Sequence, residues 1–365
     1  MDLSGRLDRA RAATAAAGLD ALLITPGPDL RYLTGYPALA LERLTCLVLP
    51  AEGDPVLVVP ALERLAALAS PVAGLGLDVR AWDETDDPVG LVAGLLPGAD
   101  RLGLDDHMFA AMVLAFRDAL PAAEQVLAGL VMRPLRARKG ADEVAALRRA
   151  GEAIDRVHAR MGEWLRPGRT EREVGLDIGR AILAEGHEAE EWVVVGSGPN
   201  GASPHHDLSG RVIEAGDPVV VDIGGTTADG YCSDSTRTYQ VGGRPDPEFA
   251  DYYAVLLAAQ ETGVAAVRPG VTAESVDAAT RSVIADAGYG AAFVHRTGHG
   301  IGMATHEDPY LVQGSTVALE PGMAFSVEPG IYLPGRHGAR IEDIVVVTDD
   351  GAERLNKTPR ELTVL

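Results

Sequence analysis

Four carboxylates stand at the ends of apolar segments, or inside them, in the second half of this 365-residue chain. Asp222 follows the valines of "PVVVDIGG", and Asp234 lies beyond the Gly-rich stretch that comes next. Glu328 follows "AFSV" and precedes "PG", and Glu342 interrupts "ARIEDIVVV". A carboxylate that a strand carries into the interior costs free energy unless a partner compensates its charge. The chain must therefore fold so that these segments meet compensating groups.

Each of the four residues has an ordinary explanation when it is considered alone. Asp222 can end a strand, and Asp234 can act as a cap. Glu328 and Glu342 can point outward on alternating strand faces. An antiparallel hairpin would nevertheless bring Asp222 and Asp234 side by side, where two ionised carboxylates repel each other unless a cation separates them.

A cluster of histidines lies in the Gly-rich stretch "HRTGHGIGMATHEDP". His295, His299 and His306 fall within twelve positions there, and glycines alternate with the residues around them. A single histidine is usually an ordinary surface or core residue, but three in such a stretch favour a functional site. The glycines disfavour a helix, so we expect extended or irregular backbone.

Two Asp, two Glu and one His together make an oxygen-rich group with one imidazole. That group suits a pair of divalent cations, Mn²⁺ first, with Zn²⁺, Co²⁺ or Fe²⁺ as alternatives. Two such cations can bridge a water, lower its pKa and stabilise tetrahedral oxygens, which predicts metal-assisted hydrolysis. The other histidines, His205, His295 and His306, are candidates for hydrogen bonds to a substrate carbonyl, a leaving nitrogen or a free carboxylate.

Composition disfavours several other classes of function. The net charge of −21 argues against binding to nucleic acid or anionic lipid. Cys46 and Cys232 lie far apart, so neither a disulfide framework nor a thiolate zinc site is indicated, which fits a reducing compartment. The N-terminus lacks the pattern of a secretory signal, and no apolar run is long enough to span a bilayer. We expect a soluble cytoplasmic protein.

The first third of the chain alternates helix and strand patterns. Helices are predicted over 4–17 and 107–120, and strands at "DALLIT", "CLVLP" and "PVLVVP", with a weaker one at "RLGLDD". The turn "AEGD" should join the second and third of these strands as a hairpin. This alternation predicts an α/β domain that ends near residue 135.

Two helix pairs are predicted around a β-rich middle segment. The first is a long helix from about Asp142 to Trp164, followed by one that Thr170 caps and Glu173 completes as a capping box. The stretch "VRPGVTAESV" repeats this signature with a new helix at Thr272, which is a weak sign of an internal repeat.

Five segments together resemble the pita-bread metallopeptidases, in the branch of prolidase and aminopeptidase P (Xaa-Pro peptidases). They are "GSGPNGASPHH", "VVVDIGGTTADGYCSDSTRTY", "HRTGHGIGMATHEDP", "FSVEPGIY" and "ARIEDIVVV", in the family's order over about residues 196–347. The resemblance implies a two-domain α/β (α+β) fold. A creatinase-like N-terminal domain would cover residues 1–135 and a pita-bread catalytic domain residues 136–365.

The resemblance also implies the metal ligands. Asp222 would chelate one metal, and Asp234 would bridge both. His299 and Glu328 would bind the second metal, and Glu342 would bridge. Glu328 is also the family's candidate for moving the proton of the attacking hydroxide.

Other roles follow from the same resemblance. His205, His295 and His306 would contact substrate and stabilise the tetrahedral intermediate, and Arg340 would orient Asp234 or Glu342. Tyr231 is expected near the metals without an assigned role. The interval between Asp222 and Asp234 is twelve residues, one more than expected in relatives. The extra residue is placed in the turn "GGTTADG". Asp229, in that turn, is interpreted as a turn residue and not as a ligand.

The predicted function is hydrolysis of the X-Pro bond of short proline-containing peptides, by a metal-bridging hydroxide, in a homodimer. Xaa-Pro dipeptidase is favoured by chain length, with Xaa-Pro aminopeptidase a close second. The N-terminal domain and Arg340 argue against methionine aminopeptidase, and the five intact ligands argue against creatinase. An amidohydrolase acting on a small solute such as an ectoine derivative stays open. An inactive binding module would have lost a ligand, and none is lost.

Overall fold

The computed structural model describes residues 1–365, which fall into two compact units, Met1–Arg136 and Ala137–Leu365. The first unit contains one six-stranded sheet and short helices. Its strands are β1 (Ala21–Ile24), β2 (Cys46–Pro50), β3 (Val56–Pro60), β4 (Asp78–Trp82), β5 (Arg101–Leu104) and β6 (Glu124–Leu127). Its helices are α1 (Leu3–Ala16), α2 (Pro28–Thr34), α3 (Arg64–Ala69), α4 (Pro88–Gly94), α5 (Ala110–Ala119) and α6 (Gly129–Ala137).

The sheet of the first unit has the strand order β4-β3-β2-β1-β5-β6. Pairs β1–β2 and β2–β3 are antiparallel, and the other pairs are parallel. The predicted hairpin is confirmed, because Val48 pairs with Val56 across the turn. Continuous apolar runs form these strands because both of their faces are covered: Leu22, Leu23 and Ile24 are fully buried.

The second unit contains three sheets and five helices. Its helices are α7 (Ala141–His158), α8 (Met161–Trp164), α9 (Glu171–Ala184), α10 (Pro247–Ala266) and α11 (Ala273–Asp286). Its strands are β7 (His187–Ser197), β8 (Pro218–Thr227), β9 (Cys232–Gln240), β10 (Gly298–Gly300), β11 (Glu307–Leu311), β12 (Ala324–Val327), β13 (Gly330–Leu333), β14 (His337–Arg340), β15 (Asp343–Val347), β16 (Ala352–Arg354) and β17 (Thr363–Val364). The sheet orders are β17-β9-β8-β7, β11-β10-β12-β15-β16 and β13-β14.

Each of the two larger sheets is covered by its own pair of helices. Helices α7 and α9 pack on the four-stranded sheet, where Ile154 and Ile178 share a buried cluster with Val221. Helices α10 and α11 pack on the five-stranded sheet, where Val276 joins Phe325 in another cluster. The polar residues described below lie on the opposite faces of these sheets.

The predicted repeat of the helix start is present in the structure. Thr170 is the N-cap of α9 and bridges to Val212, and Thr272 is the N-cap of α11 and bridges to Ala318. The two caps differ in one respect. The Thr170 hydroxyl accepts from the backbone N–H of Glu173 at 3.2 Å, whereas the Thr272 side chain makes no capping hydrogen bond.

The single long helix predicted up to Trp164 is wrong. The chain leaves helical geometry at Arg160 (φ −101°, ψ 3°), which separates α7 from α8. This break turns Met161 and Trp164 into the core with α9, and the Arg160 guanidinium stacks over the Trp164 ring at 5.0 Å. Burial of these two side chains outweighs the local preference for a continuous helix. None of the helices in the chain is both long and apolar enough to cross a membrane.

The two threonine caps provide a matched stability test. Thr170→Ala removes a capping hydrogen bond and should lower the free energy of unfolding by about 1 kcal/mol. Thr272→Ala, at the equivalent position without that bond, should cost only a few tenths of this amount. Denaturant unfolding followed by circular dichroism measures both. Equal losses in the two variants would show that the Thr170 bond contributes nothing.

Candidate active site

The hairpin of β8 and β9 carries the first two candidate ligands. Asp222 pairs with Thr236, and Gly224 pairs with Asp234, so the two aspartates project from the same face of the sheet. The pairing is regular throughout, which places the extra residue between the aspartates in the connecting loop. Asp229 lies in that loop and forms an ion pair with Arg149 at 2.7 Å, away from the two aspartates.

His299 lies on the three-residue strand β10, which matches the extended backbone expected for this stretch. Its Nδ1 donates to the backbone carbonyl of Gly300 at 3.1 Å, so that its Nε2 is left for the carboxylates. The Nε2 atom lies 3.2 Å from Oε1 of Glu328 and 3.6 Å from Oδ2 of Asp234. Gly298 is required here because a Cβ would collide with the carbonyl oxygen of Ser326.

Glu328 and Glu342 were expected to interrupt strands. In the structure both lie at strand boundaries. Glu328 directly follows β12, where Pro329 ends the strand, and it accepts a hydrogen bond from the Ser326 hydroxyl at 2.9 Å. Glu342 lies between β14 and β15, and its carboxylate accepts from the Thr236 hydroxyl at 2.7 Å. Its backbone N–H donates to the Thr236 carbonyl at 3.1 Å, which fixes the glutamate beside β9.

The structure therefore brings five candidate ligands together. Oxygen and nitrogen atoms of Asp234, His299 and Glu342 lie within 4.8 Å of one another, and all three residues are buried. Glu328 contacts His299 of this group, and Asp222 lies on the same face of the β8–β9 hairpin as Asp234.

The electrostatics of this cluster fit bound cations. Burial, with the charges of Glu342 and Asp222, raises the pKa of Asp234 well above its ordinary value. Burial and the charges of Glu328 and Asp222 likewise raise the pKa of Glu342. Burial alone would raise the pKa of Glu328, but the hydrogen bond and charge of His299 outweigh it and lower this pKa to about 2. Crowded carboxylates whose charged forms are disfavoured are the donor set that hard or borderline divalent cations stabilise.

Arg340 was expected to orient Asp234 or Glu342, and it contacts Asp222 directly and Glu342 only through the Thr236 hydroxyl. Its Nη2 donates to Oδ2 of Asp222 at 2.6 Å and its Nε donates to the Thr236 hydroxyl at 3.1 Å, so neither Asp234 nor Glu342 is its direct partner. The backbone of Arg340 is fixed beside β9, because its N–H donates to the Thr238 hydroxyl at 3.1 Å and its carbonyl accepts from the same hydroxyl at 3.0 Å. Its Nη1 donates to the hydroxyl of Tyr332 at 2.7 Å.

His295 belongs to the same hydrogen-bonded chain. Its Nδ1 donates to the backbone carbonyl of Arg296 at 2.7 Å, and its Nε2 accepts from the Tyr332 hydroxyl at 2.9 Å. Burial lowers the pKa of His295, which favours this neutral tautomer. Both ring nitrogens are thus bonded within the protein, although the ring borders the cavity described next.

The candidate ligands line a cavity of about 820 Å³. His205 and His306 also line it, and the His306 ring packs edge-to-face on His299 with centroids 4.1 Å apart. The full lining consists of Trp192, Val193, Val194, Pro204, His205, His206, Asp207, Leu208, Asp222, Asp234, His295, Arg296, His299, Thr305, His306, Glu328, Arg340 and Glu342. All residues predicted as ligands or as substrate contacts therefore border a single cavity.

The sequence profile of metallopeptidase family M24 matches residues 145–349, and that of the creatinase/prolidase N-terminal domain matches residues 6–138. This chain belongs to metallopeptidase family M24. The resemblance and the fold class inferred from the motifs are confirmed by these matches, and the protein is a peptidase of a family that requires divalent metal ions.

Relatives of this M24 peptidase match over nearly its whole length. A probable dipeptidase PepE of Mycobacterium tuberculosis is 56% identical over 361 residues, covering 99% of this chain and 96% of the relative. The crystal structure of dipeptidase PepE from Mycobacterium ulcerans has a TM-score of 0.95 and 56% identity, with 99% and 97% of the two chains covered. A prolidase from Thermococcus sibiricus has a TM-score of 0.93 and 38% identity, with both chains covered completely.

Several residues of the M24 site could not be identified from the motifs. Trp192, Thr236 and Tyr332 hydrogen-bond to candidate ligands or to Arg340, although nothing in their spacing marks them. Tyr231, for which no role was predicted, donates its hydroxyl to Glu143 at 2.7 Å, and its ring is buried in an apolar cluster with Ile301 and Ile344. The only signal in the sequence for Trp192 is the rarity of tryptophan, of which the chain has three.

Glu171, at the start of α9, is a further residue that the motifs did not predict. Its carboxylate is fully buried and accepts hydrogen bonds from the loop that carries His205. The donors are the Ser197 N–H (2.8 Å) and hydroxyl (2.7 Å), Asn200 Nδ2 (3.0 Å), His206 Nε2 (2.8 Å) and the Ser209 hydroxyl. Burial alone would raise the pKa of Glu171, but these hydrogen bonds outweigh it and lower the pKa. Glu171 thus ties together both ends of the loop around His205.

Removing one carboxylate from the cluster should stabilise the metal-depleted protein. Asp234→Asn relieves the repulsion with Asp222 and Glu342. We expect a gain of about 1 kcal/mol in the free energy of unfolding, which raises the melting temperature of a unit of this size by about 2–4 °C. The same variant should lose the stabilisation that Mn²⁺ gives the wild type. Asp229→Asn, in the same hairpin but outside the cluster, should show neither effect. A lower melting temperature of metal-depleted Asp234→Asn would contradict the repulsion.

Glu171→Gln should loosen the loop around His205. The amide replaces an acceptor oxygen by a donor that faces other donors, at a cost of about 1–3 kcal/mol. Hydrogen exchange of residues 197–209 should accelerate, as measured by mass spectrometry. Glu173→Gln, two residues later in the same first turn, is the control because Gln also completes a capping box. Unchanged protection in Glu171→Gln would show that the carboxylate does not hold the loop.

Proposed function

We propose that this M24 peptidase is an Xaa-Pro dipeptidase, which hydrolyses the bond before proline in dipeptides. The observation that carries the proposal is the convergence of five candidate metal ligands on one cavity of about 820 Å³. This volume is in the range of small-ligand sites, about 300–1,000 Å³, and is suited to a dipeptide. The relatives named dipeptidase and prolidase, which match along the whole chain, support the same substrate class.

Two divalent cations, with Mn²⁺ as the preferred ion, are proposed to be held by the cluster. Asp222 would chelate one cation, His299 and Glu328 the other, and Asp234 and Glu342 would bridge both. When bound, such a pair lowers the pKa of a water molecule and polarises the carbonyl of the scissile bond. Hydrolysis by water that these cations would activate is therefore the proposed reaction.

The residues of the chain itself supply orientation and proton transfer in this proposal. Glu328, which is hydrogen-bonded to His299 and Ser326, would accept the proton of the attacking water. His205 and His306 would hydrogen-bond the substrate from the cavity wall. His295 borders the same cavity, where the Tyr332 hydroxyl links it to Arg340. Arg340 would hold Asp222 in its orientation.

A cytoplasmic homodimer remains part of the proposal. Cys46 and Cys232 are buried and form no disulfide, which supports a reducing compartment. The expected dimer follows from the family resemblance, and sedimentation or light scattering would measure it directly.

The substrate proposal is tested by assaying metal-depleted and Mn²⁺-reconstituted protein. The substrates are Gly-Pro, Ala-Pro, Ala-Ala and a longer peptide with proline in second position. Reconstituted protein should cleave the two proline dipeptides with kcat/KM at least about tenfold above that for Ala-Ala, and should leave the longer peptide intact. Metal-depleted protein should be inactive, and Asp234→Asn should stay inactive after Mn²⁺ is added, whereas Asp229→Asn should match the wild type.

Other outcomes would redirect the assignment. Cleavage of the longer peptide would favour an Xaa-Pro aminopeptidase, the second prediction from the sequence. Equal cleavage of Ala-Ala and Ala-Pro would make the protein a general dipeptidase. Hydrolysis that survives rigorous chelation would rule out the metal mechanism.

A further inference from the structure

Trp192 makes a hydrogen bond that no metal-site motif accounts for. Its indole Nε1 donates to Oδ1 of Asp222 at 3.0 Å, while Arg340 donates to Oδ2 of the same carboxylate at 2.6 Å. Asp222 is thus held from two sides by two N–H donors. An ionised carboxylate has about four lone-pair sites, so the remaining ones are left for a cation.

A β-bulge in β7 is what turns Trp192 toward Asp222. The register against β8 shifts between Glu190 and Trp192, and Trp192 then pairs with Gly224 and Val194 with Asp222. Paired residues share a face, so Trp192 and Asp222 face the cavity together. Glu190, on the other side of the bulge, projects toward Gly179 of α9.

The indole ring also fits only because its neighbour is a glycine. A Cβ on Gly224 would collide with two carbons of the Trp192 ring. The ring therefore lies flat against the β8 backbone, with its N–H at Asp222 and its surface forming part of the cavity lining. One side chain thus combines a polar contact to a candidate ligand with an apolar wall beside it.

The position of the wall indicates which part of a substrate it meets. A dipeptide at neutral pH carries an ammonium group at one end and a carboxylate at the other. Arg296, which also lines the cavity, attracts the C-terminal carboxylate, which belongs to the proline. The residue that precedes the proline would then extend toward the candidate ligands and Trp192.

We propose that Trp192 is a positioning residue for the metal ligand Asp222 and at the same time the wall that selects the side chain preceding proline. The second half rests on the proposed function, whereas the first half depends only on metal binding. The two halves use different parts of the indole, its N–H and its ring, and different substitutions separate them.

Trp192→Phe keeps an aromatic wall and removes the N–H. Calorimetric titration of metal-depleted protein with Mn²⁺ should show about 10–100-fold weaker binding at one of two sites. Trp82→Phe is the matched control, because it removes an indole N–H that donates to the Leu44 carbonyl at 2.9 Å in the first unit. Its Mn²⁺ affinities should equal those of the wild type. Unchanged affinities in Trp192→Phe would overturn the positioning role.

Trp192→Leu removes the ring and tests the wall. The ratio of kcat/KM for Phe-Pro to that for Gly-Pro should change at least about tenfold in Trp192→Leu and stay near the wild-type value in Trp192→Phe. A parallel change for all dipeptides would overturn the wall. A wild type that binds Mn²⁺ more tightly than Trp192→Phe but cleaves no proline dipeptide would support the positioning role and refute the proposed function.

Discussion

Concentrated negative charge in a poorly hydrated place is the constraint on which the second unit depends. Asp234 and Glu342 are 3% and 2% exposed, and the nearby arginines are paired with other carboxylates. In such surroundings the repulsion between ionised carboxylates is far stronger than in water. The fold accepts this cost around Asp234 and Glu342, as expected for candidate metal ligands.

The surrounding framework is arranged to keep these charges in place. Arg237 donates to the backbone carbonyl of Glu342 and forms a buried ion pair with Asp343, both at 2.6 Å. Thr236 bonds the Glu342 carboxylate, and Trp192 with Arg340 bonds Asp222. Regular strand pairing does the coarse placement, and these side chains fix the final orientation. A mutation of one of these supporting residues would therefore disturb metal binding, although the residue itself is not a ligand.

The local elements were predictable because their signals are local. The Thr170 cap and its partner Glu173 are three residues apart, and the hairpin of β2 and β3 spans one short turn. The end of the first long helix was not predictable. Arg160 leaves the helix because Trp164 packs against α9, and a helical pattern read along the chain contains no information about that packing.

The sequence by itself determined which residues are candidates for the chemistry. Each of these aspartates, glutamates and histidines has an ordinary use when it is considered alone, but the whole set in this order indicated a metal site. Only the tertiary structure decided the partners: Arg340 binds Asp222, 118 positions away, and Trp192 reaches the same carboxylate through a bulge. The reason is physical, since a residue type fixes which bonds a side chain can make, but strand register and bulges fix which partner comes within reach.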